Sequence, residues 1–165
     1  GLSKENIDWL EGEAKRLSTT VTESGIRIRQ SATDIMDAFK LVGSAKPELL
    51  SNKEALAAVT EQTLILASAS GMTLRDAVDA VTLSLNQYGD GADQAARYAN
   101  VMAAGSKYGS AAVESVTKSI KSSGVAAASA NIPIEQLVGT IETLGEKGIK
   151  DEIAGTGLKL SLIHI

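Results

Sequence analysis

The sequence predicts an all-α fold, either a multi-helix bundle or a stack of helical hairpins, with about seven to eight helices. Three observations carry this. Apolar residues recur at spacings of three and four along most of the chain. Ser, Thr and Asp stand before these stretches and Gly or Asn after them, where helices start and stop. Aromatic residues are only 3% of the chain against 44% hydrophobic overall, so the core is built from Ala, Leu, Val and Ile, which let helix backbones approach closely.

Ser3 caps the first helix, in which Ile7, Leu10, Ala14, Leu17 and Val21 form an a/d seam, with Trp9 beside it as a shield. β-Branching from Thr19 to Thr22 weakens that helix, and Ser24-Gly25 is where it should end. Gly25 to Gln30 alternates apolar and charged residues but has no second strand signal nearby, so an extended connector is expected, with Arg27 and Arg29 solvated. Ser31 caps a second helix with Ile35, Ala38, Phe39 and Val42 on one face, and Gly43 to Pro47 stop it, Gly43 as a left-handed cap. Ser51 with Glu54 makes a capping box for a third helix, apolar on most sides through Leu56, Val59, Thr63, Leu64, Ile65, Leu66 and Ala67, and therefore central.

Gly71 ends the third helix and Thr73, with Asp76, caps a fourth, whose stripe is Leu74, Ala77, Val78, Val81 and Leu85. Tyr88 to Gly91 is a turn. The fifth helix presents Ala92, Ala95, Ala96, Ala99, Met102 and Ala103, a face expected to bury against a neighbour, and Tyr108-Gly109 punctuate before the sixth. Val113, Val116, Ile120, Gly124 and Ala127 keep one face through the small-residue run from Ser122 to Ala130, which is therefore the second half of the sixth helix, kinked if Gly124 bends it. Asn131 takes a left-handed cap and Pro133 a helix start, followed by Ile134, Leu137, Val138, Ile141 and Leu144. Gly145 to Gly148 cap that helix, and Asp151 opens a last one over Ile153 to Leu160, with Gly155 and Gly157 allowing close packing. Gly71 to Val78 laid over Asn131 to Val138 matches cap, corner and core positions at an offset of 60, an internal repeat of one helical hairpin stacked on the next.

Motifs that carry chemistry are weak. Asp34 and Asp37 lie one turn apart, but Asp34 sits in a first turn where the helix dipole favours it. Tyr88 to Gly91 lacks the regular ligands and closing Glu of a calcium loop. Ser115 to Lys118 matches the SxxK pattern without its partner motifs, and Gly145 to Gly148 matches a GxxG clamp without the strands that clamp needs. No catalytic, cofactor-binding or metal residue is assigned, no cofactor is expected, and no enzymatic activity. A formal charge of -4 disfavours specific nucleic-acid binding, which needs clustered Lys and Arg. Zero cysteines removes disulfides and thiolate chemistry.

Gly71 to Val81 followed by Tyr88-Gly89, then Ala95 to Gly105, then Gly148 to Lys159 with its "GI...AGT.L" helix, resemble the core region of the tape measure proteins of long-tailed phages. The resemblance covers about Ser31 to Lys159, and departs at Asn131-Ile132-Pro133, where the family has Gly-Val-Ser, and at Gly157, where it has Ala. It implies a structural protein of the phage or prophage virion that sets tail-tube length during assembly, occupies the tail lumen, passes through the host cytoplasm while tails are built, and assists genome ejection. Implied partners are tail tube and baseplate or initiator proteins, tail assembly chaperones, self-association through helices of coiled-coil kind, and the host membrane at infection. On this basis residues 1–30 form an N-terminal amphipathic helix and connector, residues 31–160 the helical core, and residues 161–165 a truncation artefact resembling translated adapter sequence, His164 included. Starting at Gly1, the chain is expected to be a slice of something longer. Two other classes compete: a membrane-active or pore-forming hairpin such as Val113 to Leu144, or a bacterial coiled-coil interaction domain, and an enzyme only if chemistry lies elsewhere.

Overall fold

The computed structural model describes residues 3–109 and 112–164, with the backbone alone for Tyr108; the expectations resting on Gly1 and on Ile165 lie outside these residues. Among the described residues there are eight α-helices and two short 3-10 turns: α1 Lys4–Ser18, α2 Ala32–Ala45, a turn Pro47–Ser51, α3 Lys53–Ser70, α4 Leu74–Tyr88, a turn Ala92–Gln94, α5 Ala95–Tyr108, α6 Val113–Ser129, α7 Ile134–Glu146 and α8 Asp151–His164. The all-α class is as the spacing of apolar residues requires.

Most caps form where short polar side chains stand before apolar stripes. The Ser3 hydroxyl accepts from the Asn6 N–H. Ser31 and Asp34 make a reciprocal capping box, and Thr73 accepts from the Asp76 N–H. Gly71 closes α3 with φ 70°, and Asn131 plays the same part after α6 with φ 55°. The corner after α6 is locked further by the Ile132 N–H donating back to the Ala127 carbonyl.

Several boundaries differ from expectation. α1 ends at Ser18, well before Ser24-Gly25, because Thr20 to Thr22 leave the helix to pair with Ile26 to Ile28: the Thr22 N–H donates to Ile26 O and the Ile28 N–H to Thr20 O. The missing partner for the alternating segment was thus the threonine run itself, which forms a single antiparallel bridge, Val21 to Arg27. Val21 consequently leaves the seam and lies exposed. Gly43 does not cap α2. It lies inside the helix, where a Cβ would fall 2.5 Å from Leu50 Cδ2, and the helix runs on to Ala45. Ser51 does not cap α3 either, since the Pro47–Ser51 turn consumes it and Asn52 accepts from the Ala55 N–H instead.

Packing follows one rule. Each helix touches the next in sequence and the next but one: α1 on α3, α3 on α5 and α5 on α7 form one layer, α2 on α4, α4 on α6 and α6 on α8 the other. Stacked hairpins rather than a bundle around one axis is therefore the better description. α3 is central, touching α1, α2, α4, α5 and both 3-10 turns. The repeat extends beyond its corners. Leu56, Val59, Thr60, Thr63, Leu64 and Ala67 of α3 are all buried, and so are the residues 60 further on in α6, Val116, Ser119, Ile120, Ser123, Gly124 and Ala127. Gly124 stays helical under Gln87 of α4, whose amide donates to the Lys121 carbonyl.

Candidate interaction surface

The polar side chains singled out from the sequence are spent on structure. The Asp34 carboxylate accepts from the Ser31 N–H and hydroxyl, which hold it below the usual carboxylate range, and Asp37 pairs with Lys40 on the same helix at 2.8 Å. Ser115 of the SxxK pattern receives the Asp151 N–H while Lys118 is exposed, and the Ser119 hydroxyl donates to the Asp151 carbonyl at 2.7 Å, so the serines of α6 hold the start of α8. Gly148 has φ 82° and terminates α7 with Ile149 donating back to Leu144 O, a C-cap as expected. Among the described residues no group of three His, Cys, Asp or Glu is brought close enough to hold a metal ion.

Three polar clusters tie neighbouring elements together. Lys46, nearly fully buried, bridges the Glu48 carboxylate at 2.6 Å and the Asn86 amide oxygen at 3.0 Å, joining the end of α2 to α4; its hydrogen bond keeps Glu48 below the usual range. Arg97 of α5 grips Glu135 of α7 through both oxygens, at 2.5 and 2.7 Å, and lowers the Glu135 pKa. The Tyr98 hydroxyl donates to Asp90 at 2.5 Å, with Tyr88 edge-on 5.8 Å away. Burial first, and Asp90 second, push the Tyr98 pKa up; burial pushes Tyr88 up to about 12. Trp9 packs partly buried against the core under the Lys53 ammonium, 5.4 Å from its ring centroid.

The alanine face of α5 needs correction. Ala95, Ala99 and Met102 are buried, Ala92 and Ala103 half-buried, but Ala96 is exposed. The side chain between them that fills the core is Tyr98, fully buried. Its signal was its place, three after Ala95 and four before Met102, on the same face; counting alanines alone rotated that face by one residue.

Among the described residues the exposed large apolar side chains, apart from Val21 in the hairpin after α1 and Ile149 in the turn before α8, fall at the two ends of the stack. At the C-terminal end Ile153 (75% exposed), Leu160 (54%) and Ile163 (61%) stand on the side of α8 opposite buried Ala154 and Gly155, with Val125 of α6 (60%) nearby. Between α6 and α8 runs a groove of about 750 Å³ lined by Val125, Ala126, Ile132, Leu162, Ile163 and the lysines 121 and 159. α8 carries on without a break through the 160/161 junction to His164, an exposed residue at its end. At the opposite end a smaller groove of about 350 Å³ lies between α1 and α2, walled by Ile7, Leu10, Met36, Phe39 and Leu50. Gly155 explains how closely α8 approaches α6: a Cβ there would fall 2.8 Å from Ser122 Cβ and 2.9 Å from Ser119 Cα. Gly157, expected to do the same, faces open space. Among the described residues no helix is long and apolar enough to cross a membrane.

The sequence model of one protein family, described as phage-related minor tail protein, matches residues 11–165. No curated protein and no solved structure matches the chain.

Proposed function

The chain belongs to the phage-related minor tail protein family, and from that premise we propose that it is the helical core segment of a tail tape measure protein. In this reading it acts in the tail lumen by packing and assembly, without catalysis, against tail tube and baseplate or initiator proteins, tail assembly chaperones and further copies of itself, and it contacts the host membrane at genome ejection. The observation that carries the reading is the layered stack with its 60-residue repeat, because the corner and Ala-rich stretches that resemble the tape measure core are spent on helix contacts and not on a reactive cluster. A fully helical rod of about 165 residues would span about 250 Å, whereas a compact domain of that size has a radius of gyration of about 15 Å. The segment is thus an assembly module, and the measuring length belongs to other parts of a tape measure chain.

An in-frame deletion of residues 31–160 in the phage gene, with tails measured by electron microscopy, tests this. Loss of tails, or shortening far below the about 200 Å that a rod of those residues would span, is the expected result. Shortening by the full rod length would make the segment itself the ruler, and tails of normal length and infectivity would leave it no part in assembly.

A further inference from the structure

We propose that the hairpin after α1 takes up an extended acidic segment of another protein as an added strand, seated beside the groove between that hairpin and the C-terminal ends of α3 and α5. This goes beyond the tail reading and does not rest on it. In the hairpin the Thr22 N–H donates to Ile26 O and the Ile28 N–H to Thr20 O, so Val21 and Arg27 stand opposite each other without bonding to each other. The N–H and C=O of Arg27 therefore point to the outer edge of the second strand, and neither has a partner among the described residues. The next residue to point outwards is Arg29, whose N–H is met only by the side chain of its neighbour Gln30 and whose C=O is unbonded. A row of free backbone groups on a strand edge is a template for one more strand.

The groove holds about 580 Å³, and its walls include Ser24 and Ile26 of the hairpin, Ala69 and Ser70 at the end of α3, and Ala103 and Lys107 of α5. No residue of the first strand lines it, so it lies on the side of the free edge. The Ser70 hydroxyl oxygen is buried and has no hydrogen-bond partner. This place is in the middle of the stack. α1, α3, α5 and α7 follow one another in one layer, and helices added before α1 or after α8 by the same rule extend the layers at their ends and leave the groove open.

Charge and alternation select the occupant. Ile28 is buried and Ile26 lines the groove, so Arg27 and Arg29 project from the opposite face of the strand, where both are exposed and neither is ion-paired among the described residues. Glu23 in the turn is the only carboxylate of the hairpin, and Lys107 is the only charged residue lining the groove. An added antiparallel strand sets the residues opposite Arg27 and Arg29 on that same outward face, where carboxylates pair with the guanidinium groups. The residue between them turns to the inner face, towards Ile26 and the alanines of the groove, and is apolar. A second copy of the hairpin does not fit, because its own Arg27 and Arg29 would stand against these, like charge against like.

Fluorescence anisotropy of the labelled peptide Val-Glu-Val-Glu-Val titrated with the whole chain tests it. The peptide should bind saturably, and Val-Lys-Val-Lys-Val more weakly by about tenfold or more. In the added strand the glutamate N–H groups face Arg27 and Arg29 while the N–H of the central valine faces water. N-methylation of both glutamates should therefore abolish binding, and N-methylation of the central valine should spare it. Arg27→Glu with Arg29→Glu, both at exposed positions, should weaken the acidic peptide by about tenfold or more and strengthen the lysine peptide, with circular dichroism melts verifying the fold. Arg27→Gln with Arg29→Gln serves if the charge reversal does not fold. No saturation by the acidic peptide up to about 1 mM overturns the proposal. So does equal binding of the glutamate-methylated peptide, which would leave charge attraction without strand pairing, or of the lysine peptide, which would leave pairing without selection. Sedimentation showing a dimer that the peptide displaces would make a second copy the occupant and overturn it as well. None of these results bears on the tail reading, which the deletion tests separately.

Discussion

The close contact of α8 on α6 is an exacting place to perturb, because two opposing effects can be separated there. Replacing Gly by Ala inside an exposed helix stabilises by about 1 kcal/mol through backbone propensity alone. At Gly157 nothing lies within 4 Å of the added Cβ, so Gly157→Ala should show that gain undiluted, a rise of about 2–4 °C in melting temperature for a chain of this size. At Gly155 the same methyl would lie 2.9 Å from Ser119 Cα and closer still to the Ser119 carbonyl oxygen, which are backbone atoms that cannot turn aside. Relief requires α8 to move off α6, and overpacking of this kind costs about 1–3 kcal/mol. That movement also stretches the Ser119 hydroxyl bond to Asp151 O and the Asp151 N–H bond to Ser115, worth about 1 kcal/mol each. Net destabilisation of Gly155→Ala is about 2–4 kcal/mol once the propensity gain is set against these losses, opposite in sign to its neighbour two residues on. Thermal melts of both variants under one buffer decide it. If Gly155→Ala melts at or above Gly157→Ala, α8 does not pack on α6 as described.

Ala99→Asp should destabilise by about 3 kcal/mol or more by placing an unpaired carboxylate in the core, while Ala96→Asp, on the solvent side, should shift stability by under about 0.5 kcal/mol; equal losses would contradict the rotation of α5. Tyr88 has a buried hydroxyl without a partner, so Tyr88→Phe should be neutral or stabilising by about 1 kcal/mol in urea titration, and a clear loss would mean the hydroxyl is satisfied after all. Ser31→Ala removes a reciprocal cap and should cost about 1 kcal/mol, with Ser31→Gly costing less. Stability should hold across neutral pH and fall on both sides. Asp34, Glu48 and Glu135 have folded pKa values below their ordinary ones, so their contribution is complete above about pH 5 and is lost as the pH falls through the folded values. Tyr88, raised to about 12, and Tyr98, also raised, contribute fully below about pH 10 and lose it as the pH climbs past that value, so a melting temperature unchanged at pH 11 would refute their burial.

Local chemistry made much of this fold legible. Where a cap or corner depends on one residue and its near neighbours, as at Ser3, Ser31, Gly71, Thr73 and Asn131, the residue type already names the conformation. Misreadings share one cause, a partner distant in the chain or a competing local structure. Gly43 looked like a helix stop and is instead a site of contact with Leu50, and Ser51 lost its cap role to Asn52 because Pro47 starts a 3-10 turn that Ser51 completes. The threonines after α1 had only a helix-weakening signal until the chain turned back on them at Gly25, where φ is 79°. The end surfaces were hardest to see. Ile153, Leu160 and Ile163 fit a helical period as well as any core stripe, and only the position of α6 shows that α8 buries its other side.

The repeat offset explains why those end surfaces are apolar at all. Sixty residues carry α3 onto α6, α4 onto α7 and α5 onto α8, three helices in a stack whose layers alternate helix by helix. An odd step moves every helix from one layer to the other, yet six of the buried positions of α3 recur as buried positions of α6. Layer membership therefore does not dictate the pattern; what each helix does is cover the helix two places back and offer a face to the helix two places on. α4 shows the second face filled, with Ala80 and Ser84 buried, while the matching Thr140 and Leu144 of α7 are exposed and half-buried where no later helix reaches them. Ile153 of α8, apolar and exposed on the side turned away from α6, occupies such a forward face, the side on which this rule places the contact with whatever lies two places on.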